Sequence, residues 1–471
     1  MDSDNASEFI LSKLLYQEKK IISSNWYYST ELRVLNTTII RGLLFALTNN
    51  WKMVMVGSCI IGTLIYIFSY SYMMKSVGKD WSFSIFLMIP LDLYYYKIVL
   101  HGLYYIPHIA ISFFVLGLIF DIKKSTKNSG IKILVCVIIS FIAGLGGIRQ
   151  ITLLYAPLAI VGSVLLICKL IKKNIFKVVE NKVIASMFLS AISCLFGYVI
   201  NSNILSIRYD FKSYSEMTLG TVESYNYFNL VNGVFQFFGY DSEKRVMSVE
   251  GIISLLSILF VFLVVFVTVN NIKNINNYTS TEQIMILFIV TTNIINFFIF
   301  IFVKDSYARH YLIPCLIFYI PMLTLFFKNQ NSISELNKNI MYFSCILVGI
   351  LIGARQYGQL MQYDNFSNRK GAIEYLEKNN YNFGYATFWN ANITTCFSNG
   401  NIEVTPVSDL ERFNRMEWLT KKDNSMFMES DKYFFLINKI EDLNNSEIPM
   451  YLLDVDIVYE DEYFIIFDFD D

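Results

Sequence analysis

The chain has few of the residues that hold metal ions or form disulfide bonds. Only three of its 471 residues are histidine, which excludes a metal centre built from several histidines of this chain alone. Its seven cysteines are scattered, none forms a Cys-x-x-Cys motif, and six lie in apolar runs, where cysteine behaves as a small hydrophobic residue. Disulfide bonds and structural zinc are therefore not expected.

Net charge is also nearly absent, at −1 for the whole chain, and no nucleic-acid partner is expected. The charge is unevenly distributed. Residues 1–355 carry 29 Lys and Arg against 18 Asp and Glu, a balance of +11, whereas residues 356–471 carry 9 against 21, a balance of −12. This change marks a domain boundary near residue 355. The chain begins with polar residues, so no secretory signal is visible.

Long apolar runs are abundant. Hydrophobic residues make up 54% of the chain, against about 45–50% in soluble domains. Ten runs are long enough to cross a bilayer, at 53–73, 82–96, 103–120, 133–148, 151–171, 183–200, 251–270, 283–303, 307–327 and 340–354. The runs 82–96 and 133–148 are the weakest of the ten because they are short, and the first contains Asp92.

Lysines in alternate loops predict the orientation of these spans. Loops rich in lysine face the cytoplasm, and one set of loops holds Lys75, Lys79, Lys123, Lys124, Lys127, Lys132, Lys169, Lys172, Lys173, Lys177, Lys182, Lys273, Lys328 and Lys338. Residues 1–50 and 356–471 then both face outside. Because an external N-terminal segment must be delivered across the membrane, we expect a further transmembrane helix upstream of Asp2.

The sequence thus predicts a mainly α fold in three parts. Residues 1–50 form a first extracytoplasmic loop with amphipathic helices, residues 51–355 a polytopic transmembrane helical bundle of about ten spans, and residues 356–471 a C-terminal extracytoplasmic α/β domain. In that domain we expect a helix over 367–379 and five strands, because short apolar runs alternate with Asn, Asp and Gly. The strand-like runs are 385–388, 402–407, 433–437, 457–459 and 463–467.

Three carboxylates open the chain, at Asp2, Asp4 and Glu8. Glu8 follows Asp4 by four residues, so a helix that begins near Asp4 carries both on one face. Acidic groups beside a membrane are costly and commonly functional. Aspartates also cap helix N-termini and interact favourably with the helix dipole, and the sequence leaves both interpretations open. Asp2 and Asp4 could also hold a divalent cation such as Mg²⁺ or Mn²⁺.

Aromatic and basic residues also lie in the outward loops. Trp26, Tyr28 and Tyr105 could stack on a sugar ring or anchor the protein at the membrane interface. Phosphate-binding candidates at the outer ends of spans are His108, Arg149, Arg309 and His310, and Arg355 ends the last span. Arginine presents a fork of donors to phosphate, and histidine can donate or accept a proton near neutral pH. Snorkelling to lipid head groups and packing at helix ends are the alternative roles.

This combination resembles a known superfamily of membrane enzymes. An acidic motif in the first external loop, many spans, arginines at outer helix ends and an external α/β domain resemble the GT-C polytopic glycosyltransferases. Within them, the bacterial relatives of dolichyl-phosphate-mannose mannosyltransferases and aminoarabinose transferases are the most similar. The segments 2–8 (DSDNASE) and 25–33 (NWYYSTELR) also look like an uncharacterised bacterial membrane-protein family. The resemblance covers about residues 1–355.

The resemblance implies a function and roles for these residues. The donor would be a polyprenyl-phosphate sugar, transferred with inversion to a glycan, glycolipid or protein acceptor on the outer face of a bacterial plasma membrane. Asp4 would be the base, with Asp2 as the alternative, and Glu8 would orient the acceptor or a metal. The donor phosphate would be held by Arg149, Arg309, His108 and His310.

Two other classes of protein stay open. A transporter or flippase of a lipid-linked glycan would carry charges near the bilayer midplane, on broken helices, yet Asp92 is the only carboxylate within a predicted span. A non-enzymatic envelope assembly or binding protein would act through its C-terminal domain. Convergence of the outward polar residues on one site would favour the enzyme over the binding protein.

Overall fold

The computed structural model describes residues 1–29, 32, 34–80, 83–124, 128–172, 175–212, 218, 224–303, 309–329, 334–362, 364–408, 414–422, 432–443 and 449–469. Across these ranges the chain is mainly helical, with a small sheet near its C-terminal end. This agrees with the predicted mainly α fold followed by an α/β region.

The first 50 residues form two helices and a short strand. Helix α1 spans Ser3–Glu18, strand β1 spans Trp26–Tyr27 and helix α2 spans Thr37–Phe45. Asp2 is the N-cap of α1, and Lys19 ends it in a left-handed conformation, φ 53°. The inner face of α1 packs with α2 in a core that includes Phe9 and Trp26.

Long helices make up the middle of the chain. They are α3 (Trp51–Val77), α4 (Ile106–Lys124), α5 (Ser129–Gly144), α6 (Ala156–Leu170), α7 (Asn181–Ile200), α8 (Ser224–Phe237), α9 (Val249–Lys273), α10 (Ser280–Phe302), α11 (Tyr319–Asn329) and α12 (Glu335–Met361). Short π-helical turns adjoin some of them, at Ile151–Tyr155 before α6 and Asn201–Leu205 after α7. A 3₁₀ turn, Arg309–Leu312, and a short helix, Ile313–Leu316, precede α11.

Eight helices among the described residues are long and apolar enough to cross a membrane, when adjoining helical turns are included. They are Trp51–Val77, Ile106–Lys123, Ile151–Leu170, Asn181–Arg208, Val249–Lys273, Ser280–Phe302, His310–Asn329 and an eighth within Glu335–Lys378, a range in which residue 363 lies outside the described residues, and Ser129–Gly144 is a shorter apolar helix. They are compatible with a multi-pass membrane protein.

The predicted span at 82–96 is not a continuous helix. Its residues form a 3₁₀ turn, Ser84–Leu87, and a three-residue helix, Leu93–Tyr95, which leads into π-helical turns over Tyr96–His101. Pro90 lacks a backbone donor, and the Asp92 carboxylate accepts from the backbone N–H groups of Tyr94 and Tyr95 at 3.0 and 3.3 Å. Asp92 therefore starts a new helical turn and interrupts the run.

This irregular segment returns the chain along the bundle. The Cys59 thiol lies 3.4 Å from the carbonyl oxygen of His101, and further along α3 the Tyr70 ring packs on Phe113 and the Tyr72 hydroxyl reaches Asp121. Helices α3 and α4 therefore run parallel. The residues between them lead from the end of α3 back to the level of its start.

The two ends of the bundle differ in what surrounds them. At one end, which we name the domain end, Trp51 at the start of α3 donates its backbone N–H to Asn399 of the C-terminal region. At the other, the lysine end, Lys79 forms an ion pair of 3.0 Å with Glu282 at the start of α10. The N-terminal segment packs on the C-terminal region, so both lie at the domain end.

The C-terminal region is an α/β domain. Its helices are α13 (Asn365–Lys378) and α14 (Phe388–Phe397), and its strands are β2 (Phe383–Thr387), β3 (Glu403–Val407), β4 (Thr420–Lys421), β5 (Tyr433–Asn438), β6 (Ile457–Glu460) and β7 (Phe464–Phe469). Five strands form a sheet in the order β3-β2-β5-β7-β6, in which β2 is parallel to β3 and β5, and β7 is antiparallel to its neighbours. Strand β4 pairs with β1. The predicted helix and all five predicted strands are present.

Candidate functional site

A buried ion pair anchors the acidic helix α1. The Arg41 guanidinium, which is fully buried, donates to the Glu8 carboxylate at 2.9 Å. It also donates to Asn5 Oδ1 at 2.9 Å and to the Gly102 carbonyl at 3.0 Å, and it lies 4.1 Å over the Phe9 ring. These contacts join α1, α2 and the loop before α4. Glu8 therefore fixes α1 in place.

The two aspartates of the predicted catalytic set lie at the start of α1. Asp2 is exposed, and its carboxylate accepts from the Asn5 backbone N–H at 2.9 Å, which is the capping role. Asp4 is half-buried in the first helical turn. Of the three carboxylates, Glu8 is committed to the ion pair and Asp2 to the cap.

A second cluster surrounds Arg149, between α5 and α6. The Arg149 guanidinium lies 5.6 Å from the ring centre of Tyr104, 4.8 Å from that of Tyr105 and 5.5 Å from that of Tyr311. A cation over aromatic faces is attracted by the ring quadrupoles. Tyr104 and Tyr105 come from the loop before α4, and Tyr311 from the turn before α11. The three rings therefore surround the guanidinium group.

Beside Arg149, a buried histidine is fixed by a glutamine. Gln150 lies 3.3 Å from His108 Nδ1 and donates to the His108 carbonyl at 3.0 Å, and both residues are buried. The His108 ring also lies against Tyr105, at 6.3 Å between ring centres. Because Gln150 follows Arg149 in the chain and contacts His108, the two candidate residues Arg149 and His108 lie in one cluster. We name Arg149, Tyr104, Tyr105, Tyr311, His108 and Gln150 the Arg149 cluster.

The predicted residues 309 and 310 flank this cluster. The His310 ring lies 4.4 Å from the ring of Tyr311, which in turn contacts Arg149. The backbone of Arg309 starts the 3₁₀ turn, while its side chain lies outside the described residues. The structure therefore brings Arg149, His108 and Tyr105 together, with His310 next to them.

Two of the predicted aromatic residues lie elsewhere. Trp26 is 1% exposed in the N-terminal core, and Tyr28 is buried, with its hydroxyl accepting from the Ser23 backbone N–H at 3.0 Å. Burial raises the pKa of Tyr28. Both rings pack against protein, and a sugar-stacking role for them stays a prediction.

One short segment, ending in the first turn of α4, links the two groups of residues. Residues 101–108 carry the Gly102 carbonyl that faces Arg41, the tyrosines that face Arg149, and His108. His101 opens this segment and stacks on Tyr96 at 5.7 Å.

Sequence reasoning missed four members of these groups: Arg41, Tyr104, Gln150 and Tyr311. Arg41 carried a usable signal, because a lone cation in an apolar helix (TTIIRGLLF) needs a buried acidic partner. The other three carry no local signal, since their roles depend on contacts between distant segments. Among the described residues no group of three or more His, Cys, Asp or Glu could hold a metal ion, and a cation at Asp2 and Asp4 stays a prediction.

The described residues form a mainly helical protein, compatible with a multi-pass membrane protein, with a small C-terminal sheet and a basic, aromatic cluster at the domain end. Neither a protein-family model nor a curated protein sequence matches the chain.

Proposed function

We propose that the protein is a membrane glycosyltransferase that moves a sugar from a polyprenyl-phosphate donor to an envelope acceptor. The observation that carries the proposal is the Arg149 cluster. A guanidinium set among three tyrosine rings, beside a buried histidine, suits a phosphate whose charge grows as the sugar leaves. The cluster lies at the domain end, where the acidic helix α1 and the α/β domain also lie.

The proposed roles rest on the contacts of Arg149, His108 and Glu8, and for Asp4 on its place in the first turn of α1 and on the resemblance to the GT-C enzymes. Arg149 holds the donor phosphate, while His108 and His310 line the same position. Asp4 accepts the proton of the acceptor hydroxyl as it attacks the anomeric carbon, and this single displacement inverts that carbon. Asp2 is the alternative base. Glu8 acts through Arg41, by holding α1 against the loop that carries Tyr104 and Tyr105.

We also propose the side of the membrane on which transfer occurs. The lysine end carries Lys79, Lys132, Lys169 and Lys273, and lysine-rich ends face the cytoplasm. The domain end then faces the outside of a bacterial plasma membrane, with ten crossings if residues 82–101 count as one. A polyprenyl-phosphate sugar presented on the outer leaflet would meet the Arg149 cluster there.

Transfer from radiolabelled polyprenyl-phosphate hexoses and pentoses, in membranes from an expressing strain, tests the proposal. Asp4→Asn keeps the size of the side chain and removes the base, so the rate should fall by roughly 10²–10⁴-fold. Asp2→Asn should have the milder effect. Arg149→Ala should lower the rate by roughly 10²–10³-fold, because the leaving phosphate loses its stabilising charge.

Arg208→Ala is the matched control, since Arg208 is exposed near the same end and lies beside Tyr209 rather than in the cluster. It should transfer at the wild-type rate. Full activity in both aspartate variants and in Arg149→Ala would remove this site from the mechanism. The envelope binding or assembly function would then be preferred.

A further inference from the structure

A cavity at the lysine end belongs to none of the groups described above. Its volume is about 230 Å³, and it lies between the end of α6 and the start of α7. Three lysines line it, Lys169, Lys172 and Lys177, together with apolar side chains that include Leu165 and Ile184. It therefore combines a cationic rim with an apolar floor.

The walls of the cavity are held by defined contacts. Lys169 donates to Asn181 Oδ1 at 2.5 Å, which ties the end of α6 to the start of α7. The backbone N–H of Lys177 donates to Gln283 Oε1 at 2.8 Å, which fixes the connecting loop on α10. The floor residues Leu165 and Ile184 are each 5% exposed. These contacts therefore fix the backbone segments that carry Lys169 and Lys177.

Among the described residues, the acids near the cavity are paired elsewhere. Glu180 is the nearest acid along the chain, and its carboxylate pairs with Lys182 at 3.1 Å. In the part of the chain that the structure describes, no carboxylate forms an ion pair with the three lining lysines. An anion entering the cavity would therefore meet up to three ammonium groups.

The exposed apolar surface of the cavity lining and of the two bordering helices indicates which anion fits. Val178, which lines the cavity, is 77% exposed, and Leu170 on α6 and Ile192 on α7 are 72% and 62% exposed. The cavity is smaller than the roughly 300–1,000 Å³ of pockets that enclose whole ligands. It can take a head group whose acyl chains lie outside, along the helices.

We propose that this cavity binds the head group of an anionic phospholipid. Basic pockets between transmembrane helices at the cytoplasmic side suit such head groups. The phosphate would contact Lys169, Lys172 and Lys177, and the acyl chains would follow the exposed faces of α6 and α7. The site is separate from the domain end and does not depend on the proposed transferase activity.

Native mass spectrometry of the full-length protein in neutral detergent tests the site. Phosphatidylglycerol and phosphatidylcholine with the same acyl chains are added in equal amounts. Wild-type protein should retain phosphatidylglycerol at least about tenfold better. The variant Lys169→Gln/Lys172→Gln/Lys177→Gln should lose that preference, because the charge interaction with the phosphate is gone.

The variant Lys75→Gln/Lys273→Gln/Lys338→Gln is the control. It removes the same charge from the lysine end outside the cavity, and it should keep the preference. Loss of the preference in both variants would show that general surface charge, and not the cavity, attracts the lipid. An unchanged preference in the first variant would overturn the proposal.

A second measurement leaves the lysines intact. Cys168 lines the cavity and is half-buried, so bound lipid should slow its reaction with a maleimide in a Cys59→Ser background. Phosphatidylglycerol should protect Cys168, whereas phosphatidylcholine and inorganic phosphate should not. Equal protection by inorganic phosphate would make this a free-anion site, and no protection by any of them would exclude lipid from the cavity.

Discussion

At the scale of single residues, the Glu8–Arg41 pair sets where helix α1 lies. Arg41 has no exposed surface in its side chain, and its bonds reach Glu8, Asn5 and Gly102. Glu8→Ala would leave this guanidinium buried without its counter-charge, which costs about 3–5 kcal/mol. We expect that loss in the free energy of unfolding of the detergent-solubilised protein, measured by denaturant titration.

The exposed pair between Glu18 and Lys20 on the same segment gives the control. Lys20 is 55% exposed and its nitrogen lies 3.4 Å from the carboxylate, and exposed pairs contribute about 0–1 kcal/mol. Lys20→Ala removes the exposed partner and leaves the hydrogen bond from Ser23 to Glu18 in place, so it should change the stability little. If the two variants lose equal stability, the buried pair does not anchor α1.

The residues of the candidate site also show what sequence can and cannot predict. Arg149, His108 and Tyr105 can be named as candidates from the sequence because charged and aromatic residues at helix ends stand out in an apolar chain. Their grouping depends on Tyr104, Tyr311 and Gln150, which become neighbours only when α4, α6 and α11 pack together. From the sequence, Trp26 cannot be told apart from a tryptophan at the membrane interface, yet its side chain is buried in the N-terminal core.

At the scale of elements, glycines allow α5 and α7 to cross in close contact. A Cβ atom added at Gly144 would overlap the Cys194 carbonyl, and one added at Gly197 would overlap the Phe141 carbonyl. Small residues permit this approach between helices in a membrane protein. Gly144→Ala should destabilise the protein by about 1–3 kcal/mol, the usual cost of overpacking, measured by thermal unfolding in detergent.

Gly358→Ala is the matched control, because a Cβ atom at Gly358 would meet nothing within 4 Å. It should unfold at or above the temperature of the wild-type protein, since alanine has the higher helix propensity. If Gly144→Ala unfolds at the same temperature as Gly358→Ala, helices α5 and α7 are not in the close contact that the structure shows.

Elements differ in how far local sequence determines them. The strands of the α/β domain and most long helices follow from run length and alternation alone. Helix α14 was missed because its sequence, FWNANITTCF, is rich in β-branched and polar residues. Long-range hydrogen bonds stabilise it. The Thr387 hydroxyl donates to the Asp442 carboxylate at 2.7 Å, and the Asn390 side-chain amide donates to its two oxygens at 3.1 and 3.0 Å. Burial raises the pKa of that carboxyl.

At the scale of the whole molecule, the two ends of the bundle have opposite character. The domain end combines the acidic helix α1, the Arg149 cluster and the α/β domain, and the lysine end combines the basic loops with the cavity between α6 and α7. An anionic head group at the lysine end would add to the positive-inside preference. Both proposals therefore depend on the same orientation in the membrane, although neither requires the other.

Labelling of one added cysteine at a time tests that orientation directly. Glu374 on α13 is 63% exposed at the domain end, and Asn128 is exposed at the start of α5, at the lysine end. We expect Glu374→Cys to react with a membrane-impermeant maleimide in intact cells, and Asn128→Cys to react only after permeabilisation, because lysine-rich ends stay in the cytoplasm. The unsubstituted protein, with its own seven cysteines, sets the background. The reverse pattern would place the Arg149 cluster in the cytoplasm, where it could not meet a donor presented on the outer leaflet, and the proposed site of transfer would have to be abandoned.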